Sequence, residues 1–201
     1  GSLYYAFPVG DLAVTAGPLV DQDDVVAATI SAYSDDFRLG SMPYSLDGDL
    51  TGPGAAVAYS DEFRLGSMPF SAAGSEKGPG IAVSYSTNNG IVASASFVAD
   101  DGADSSKGIN TDTGNDVTTL TLGYNGEGFG GGLIVASNDG DVGTSGYDTF
   151  GAGIYYSPDS FPATISVAYD TKDPEDGGGV DEADLFVGVD YEIGPGTLSA
   201  A

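Results

Sequence analysis

Two arginines stand at matching positions of a unit that the chain carries twice. Residues 32–45 read AYSDDFRLGSMPYS and residues 58–71 read AYSDEFRLGSMPFS, identical at twelve of fourteen positions. Arg38 and Arg64 are two of only five basic residues, against 30 acidic ones. Such arginines could pair with carboxylates across a narrow aqueous passage and filter solutes. Each could instead form a local salt bridge with the acids beside it in sequence, and the sequence leaves both interpretations open.

Carboxylates are the other groups that could do chemistry. Asp170, Asp190 and Glu192 fall within predicted strands, where they are candidates for a water-facing wall or for charges near a strand end. Clustered loop oxygens can bind Ca²⁺, and the weak candidates for loosely bound Ca²⁺ are Asp139, Asp141, Asp173, Asp176 and Asp181. A solvated loop surface explains these acids equally well. Paired carboxylates can cleave glycosidic bonds, but no pair is fixed in a cleft, so we predict no enzyme and no cofactor.

Composition excludes several classes of function. The formal charge of the 201 residues is −25, which would repel a nucleic-acid backbone. The chain has no Cys and no His, which removes thiol chemistry, imidazole metal sites and catalytic triads with a His base. With 41% hydrophobic residues the chain is not a disordered polymer.

Alternation with a period of two predicts strands along most of the chain. GIVASASFVAD (residues 90–100) and DLFVGVDYEI (residues 184–193) each place large or apolar side chains at every second position. The predicted connections alternate between short turns and long acidic loops, and the long loops are residues 100–116, 138–146 and 171–182. This order is typical of an antiparallel up-and-down β-barrel, so we predict an all-β fold with residues 1–201 as one barrel domain.

The repeated unit fits this scheme as a duplicated hairpin. We place crossings at residues 25–34, 37–45, 55–60 and 63–71, between the strand at residues 12–20 and the strand at residues 80–87. Because the number of added crossings is even, every later strand keeps the direction in which it runs across the barrel wall. The total is then about 14 crossings.

The distribution of residue types favours a barrel that spans a membrane. Small residues oppose the aliphatic ones on the strands, and the charges concentrate in the loops. Tyrosines near predicted strand ends are candidates for an aromatic girdle: Tyr59, Tyr85, Tyr124, Tyr156, Tyr169 and Tyr191. The alternative is an acidic secreted or cell-surface β-protein, such as an adhesin or a surface-layer module, that Ca²⁺ stabilises and whose tyrosines form its core.

Residues 4–24, YYAFPVGDLAVTAGPLVDQDD, resemble the outer-membrane porins of cyanobacteria, which belong to the carbohydrate-selective porin class. The resemblance implies a trimeric transmembrane barrel of about 16 strands, in contact with outer-membrane lipid and lipopolysaccharide. It implies passive diffusion of small hydrophilic solutes and inorganic ions, and the acidic charge should favour cations. The S-layer-homology domain that binds peptidoglycan in that family is not found in residues 1–201, and the last residue is not aromatic. We therefore expect this chain to be part of a larger barrel.

Overall fold

The computed structural model describes residues 3–21, 29–31, 56–57, 63–64, 77–100, 102–111, 113–140, 145–175, 180–194 and 196–200. No helix within these ranges is long and apolar enough to cross a membrane. The described strands near the amino terminus are β1 Leu3–Val9, β2 Leu12–Asp21, β3 Thr29–Ser31, β4 Ala56–Val57, β5 Phe63–Arg64 and β6 Lys77–Ser86. Those that follow are β7 Ile91–Ala99, β8 Asp116–Gly126, β9 Phe129–Asn138, β10 Tyr147–Tyr156, β11 Ala163–Pro174, β12 Glu182–Ile193 and β13 Gly196–Ala200.

The main sheet is an antiparallel up-and-down meander, which confirms the predicted fold class. Its strand order is β1-β2-β6-β7-β8-β9-β10-β11-β12-β13-β4. Tight turns join β1 to β2, β6 to β7, β8 to β9 and β12 to β13, while the longer connections lie at the opposite ends of the strands. One end of the sheet is therefore the tight-turn end and the other is the long-loop end. The outermost strands β1 and β4 do not pair with each other within the described part of the chain.

The prediction for the repeated unit is wrong in its placement. β2 pairs directly with β6, up to the pair Asp21 and Lys77, so no crossing stands between these two strands. β4 instead pairs with β13 at the far edge of the main sheet, and β3 pairs with β5 in a separate two-stranded sheet. The main sheet has eleven strands among the described residues. The predicted crossing at residues 37–45 lies outside them, so the total of about 14 crossings stays a prediction. Alternation along the chain predicts that a segment is extended, but it does not specify the neighbour of that segment.

The two faces of the sheet differ in exposure. In β8, Leu120 and Leu122 are exposed whereas Thr119 and Thr121 are buried. We call the face that carries Leu120 and Leu122 the outer face, and the opposite one the inner face. Strand registers keep the faces continuous, since Leu120 lies opposite Val135 of β9.

Two adjacent glycines of β9 contact β10 in different ways. A Cβ atom at Gly131 would clash with the backbone carbonyl oxygen of Gly153, whereas one at Gly130 would clash with the side-chain ring of Tyr155. A carbonyl oxygen held in the sheet cannot move aside, but a ring can rotate. We therefore expect Gly131→Ala to lower the free energy of unfolding by about 1–3 kcal/mol, and Gly130→Ala to lower it less. Denaturant unfolding of both variants tests this, and an equal or reversed effect would contradict it.

Candidate functional site

The outer face is apolar and exposed across the sheet. One row of register partners runs from β1 to β10 through Phe7, Val14, Val83, Ala95, Leu120, Val135 and Phe150. Further rows continue onto β12, where Val167 of β11 lies opposite Val187. Leu122 is 56% exposed and Leu185 is 66% exposed, although both lie in the interior of long strands. In a folded protein surrounded by water these side chains would belong to the core.

Aromatic side chains gather at the tight-turn end of this face. Four of the predicted girdle tyrosines are exposed there: Tyr85, Tyr124, Tyr156 and Tyr191. Ring centroids lie 5.3 Å apart for Tyr124 and Phe129, and 6.1 Å apart for Phe161 and Tyr191. Tyr169 is exposed too, but it lies in the middle of β11 opposite Ala152, because that strand continues to Pro174. The predicted strand-end position is therefore wrong for Tyr169.

Charged residues on the outer face lie at its long-loop margin. Between β7 and β12, the exposed acidic residues at outer positions are Asp148 near the start of β10 and Asp173 near the end of β11. Asp116 at the start of β8 also has an outer position, but its side chain is buried. Asp148 and Asp173 are register partners. An uncharged apolar band is thus bordered by aromatic rings at one end and by carboxylates at the other.

The inner face carries small and polar side chains. Six hydroxyl residues at inner positions of β7 to β11 are buried: Ser94, Ser96, Thr119, Thr121, Thr149 and Ser166. The hydroxyl oxygens of Ser94 and Thr121 are 2.6 Å apart, which is hydrogen-bond distance. Small apolar clusters occupy the long-loop end of this face, one around Val98 and one around Val117.

Strand β3 lies on the inner side of the main sheet. It is close to β8, β9, β10 and β11. The outer side chains of those strands are exposed, whereas Ile134 and Asp170 on the inner face are fully buried. Thr29–Ser31 therefore covers part of the inner face rather than the apolar outer face.

Ionisable residues on the inner face include one cation that the sequence analysis missed. Asp170 lies opposite Asp184 of β12 in the sheet register. Two positions further along the same face, Lys172 lies opposite Glu182, and its Nζ atom is 4.2 Å from the ring centroid of Tyr147. The sequence signal that could have found Lys172 is the period of two in a strand: Lys172 lies two residues after Asp170 and therefore on the same face. It is also one of only five basic residues.

A cleft of about 450 Å³ lies at the tight-turn end of β11 and β12. It brings together two predicted residues, Asp190 and Glu192, with Asp159, which was not predicted. Its other lining residues are Ser157, Pro158, Ser160, Phe161, Pro162, Ala163 and Thr164. The backbone N–H of Glu192 donates to the Pro162 carbonyl at 2.7 Å, and the Thr164 hydroxyl donates to the Ser157 hydroxyl at 2.8 Å. These bonds fix the turn 157–162 to both strands.

Two of the described loop carboxylates, Asp139 and Asp104, serve local structure. Asp139 accepts a hydrogen bond of 2.6 Å from the backbone N–H of Asp116. Asp104 accepts bonds from the hydroxyl and the backbone N–H of Ser106, at 2.7 and 2.8 Å, and these bonds lower the pKa of its carboxyl group. Asp181 is exposed just before β12.

Bound Ca²⁺ stays a prediction. Asp141 and Asp176 lie outside the described residues. Within the described ranges, no group of three or more carboxylates is arranged to hold a metal ion.

The arginines that define the repeat are only partly placed. The backbone of Arg64 lies in β5, opposite Thr29. Arg38 and Tyr59 lie outside the described residues. A constriction and a local salt bridge therefore both stay predictions for these arginines.

Comparisons with known proteins found similarity only among solved structures. No family model matches the chain, and no curated protein matches it. A mutant of Rh. blastica porin has a TM-score of 0.43 at 15% identity, over 98% of this chain and 74% of that one. A triple mutant of the Rhodopseudomonas blastica porin has a TM-score of 0.40 at 13% identity, with the same coverage. Because both TM-scores are below 0.5, a role for this chain must rest on the two faces of its own sheet.

Proposed function

We propose that this chain is the β-barrel domain of an outer-membrane porin. It forms a water-filled channel for passive diffusion of small hydrophilic solutes and inorganic ions. The observation that carries the proposal is the inversion of the sheet, in which the exposed outer face is apolar and the inner face is small and polar. In transmembrane barrels the apolar face meets lipid and the polar face lines the lumen.

The size of the outer face argues against a soluble domain. Nine neighbouring strands carry it, namely β1, β2 and β6 to β12. At about 4.8 Å per strand and about 20 Å of strand length, the outer face measures on the order of 40 by 20 Å. The largest apolar patch on a soluble monomer is typically about 300–600 Å². Removing one Leu or Val side chain from water contributes about 1.5–3 kcal/mol, and a lipid bilayer provides that gain along every row.

Strand length and the ends of the sheet fit the same proposal. β9 and β10 have 10 residues each, and β11 and β12 have 12. About 9–11 residues cross a bilayer when a strand is tilted by about 45°. The aromatic rings near the tight turns match an interfacial girdle, and the acidic long loops match the external side.

Insertion in lipid requires that the sheet close. An unpaired strand edge cannot face hydrocarbon, because its N–H and C=O groups would lack hydrogen-bond partners. We therefore propose that the free edge of β1 and the β13–β4 edge are joined in a closed barrel of about 16 strands. The closing strands would come from chain that is not among the described residues.

Ion preference, family membership, oligomeric state and envelope contacts are also part of the proposal. Negative charge on and near the inner face favours cations. The sequence resemblance adds membership in the cyanobacterial carbohydrate-selective porins, a homotrimer, contact with lipopolysaccharide, and attachment to peptidoglycan through an S-layer-homology domain.

Planar-bilayer conductance tests the proposal. The purified protein should give stepwise current increases, and a salt gradient should give a reversal potential of the sign expected for cation preference. Stable folding without detergent, together with no current steps, would contradict a porin and favour the acidic cell-surface β-protein.

A further inference from the structure

We propose that the outer face fits a phospholipid bilayer whose hydrocarbon core is no thicker than about 22 Å, and that the strands cross it with a tilt of about 35°. This inference rests on the proposed function, because it takes the outer face to be the face that meets lipid. It goes further by assigning the level of each headgroup layer. Two features of the outer face carry it, namely a line of aromatic rings and a margin of carboxylates.

An exposed aromatic residue stands near the tight-turn end of every second strand in the order of the sheet. All five of these strands run toward that end, and the residues are Phe7 of β1, Tyr85 of β6, Tyr124 of β8, Tyr156 of β10 and Tyr191 of β12. We call this set the aromatic line. Tyr5, Phe150 and Tyr169 are also exposed, but they lie nearer to the long loops and are not part of the line.

The aromatic line crosses the sheet obliquely. The row of register partners that starts at one ring reaches the next of these strands two residues short of the next ring. The residues reached are Val83 from Phe7, Leu122 from Tyr85, Ile154 from Tyr124 and Val189 from Tyr156. The line therefore shifts toward the tight turns by two residues for every two strands, and it does so at all four steps.

This shift gives the tilt of the strands. One residue, about 3.4 Å, for each strand spacing of about 4.8 Å corresponds to an angle of about 35°. If the strands stood upright in the bilayer, Phe7 and Tyr191 would differ in depth by roughly 27 Å, and the rings could not share one headgroup layer. A tilt of about 35° brings all five rings to one depth, and it falls in the usual range for transmembrane barrels. Tyrosine rings favour the headgroup layer because one end of the ring is apolar and the other is polar.

The carboxylates at the long-loop margin give the opposite boundary. Asp148 stands eight residues before Tyr156 in β10, and Asp116 stands eight residues before Tyr124 in β8. The outer positions between the two residues of β10 are all apolar, namely Phe150, Ala152 and Ile154. Eight residues measure about 27 Å along a strand and, at this tilt, about 22 Å along the bilayer normal. A typical hydrocarbon core is about 30 Å thick, so the outer face suits a thinner bilayer.

Fluorescence quenching by phospholipids brominated at defined acyl positions tests the tilt. The chain has no tryptophan, so each single variant reports one depth. Tyr85→Trp and Tyr191→Trp should both be quenched most by bromines nearest the headgroups. The matched control is Leu185→Trp, because Leu185 lies in the same row of register partners as Tyr85 but about 16 Å further along the bilayer normal at this tilt. Bromines near the methyl ends should quench it most.

Folding in phosphatidylcholine vesicles tests the thickness. The equilibrium constant for folding should be about tenfold or more larger with twelve-carbon chains than with eighteen-carbon chains, because mismatch between the apolar face and the bilayer lowers stability. Asp148→Leu with Asp173→Leu extends the apolar face by one row on β10 and β11, so this variant should shift the preference toward longer chains. Equal constants in the two lipids, or the same chain-length dependence for both proteins, would overturn the thickness.

The quenching experiment separates failure of this inference from failure of the channel. Matching profiles for Tyr85→Trp and Leu185→Trp, with a different profile for Tyr191→Trp, would mean upright strands and would overturn the tilt, while the outer face would still meet lipid. No quenching of any variant by brominated lipid would contradict the porin as well.

Discussion

Replacing Leu122 with lysine is expected to lower the free energy of unfolding from lipid vesicles by about 2–4 kcal/mol. Leu122 lies on the outer face in the interior of β8 and is 56% exposed. Within a bilayer, that exposure is contact with hydrocarbon, where an ammonium group loses its hydration. Denaturant unfolding of the protein reconstituted in vesicles measures the difference.

The adjacent residue provides the matched control. Thr121 lies on the inner face, where it is buried and bonded to Ser94. Thr121→Lys therefore loses one hydrogen bond worth about 0.5–1.5 kcal/mol, and in the proposed barrel its long side chain can extend along the inner face until the ammonium group reaches the aqueous lumen. A soluble protein would give the reverse order. There, lysine at exposed position 122 would change stability by no more than roughly 0.5 kcal/mol, and lysine at buried position 121 would be the damaging change. That reversed order would contradict a membrane-spanning sheet.

Neutralising Asp190 and Glu192 together should reduce the preference of the channel for cations. Two unit charges about 6 Å apart in water interact by roughly 0.7 kcal/mol, which corresponds to about threefold in a permeability ratio for each charge removed. Asp190→Asn with Glu192→Gln should therefore lower the cation-to-anion ratio by about threefold to tenfold. Reversal potentials in a salt gradient measure this ratio.

The control removes the same number of charges from the outer face. Asp148 and Asp173 lie opposite each other at the long-loop margin, so Asp148→Asn with Asp173→Asn should leave the permeability ratio almost unchanged. An equal effect of the two double variants would mean that selectivity follows net charge and that the cleft is not near the path of the ions.

The sequence predicted the local structure well because local structure is what alternation encodes. The period of two along β7, β8, β11 and β12 places each side chain on one face, and the observed exposure follows it. After β6, the short and long connections also fall close to where the sequence placed them, although the loop predicted at residues 171–182 is shorter because β11 runs to Pro174. Asp190 and Glu192 could be selected as candidates because the alternation places them on the face of the strand that does not carry Val189 and Tyr191.

Features that depend on distant pairing could not be predicted in the same way. β2 pairs directly with β6, with Val14 opposite Val83, and nothing in the sequence of either strand specifies its partner. Asp159 lies in a turn without alternation, and only folding brings it to the carboxylates of β12. Lys172 was missed because β11 extends to Pro174, into the segment 171–182 that was predicted as a long loop.

The most direct test is to ask which face of the sheet touches lipid. The chain has no tryptophan, so a single introduced tryptophan reports on one position. Ile81→Trp on the outer face of β6 and Ser84→Trp on its inner face form the matched pair. In vesicles made with dibrominated phospholipids, the fluorescence at position 81 should be quenched by the acyl chains and that at position 84 by aqueous acrylamide. Quenching of both positions by acrylamide alone would show that the apolar face meets water, which would contradict the proposed porin.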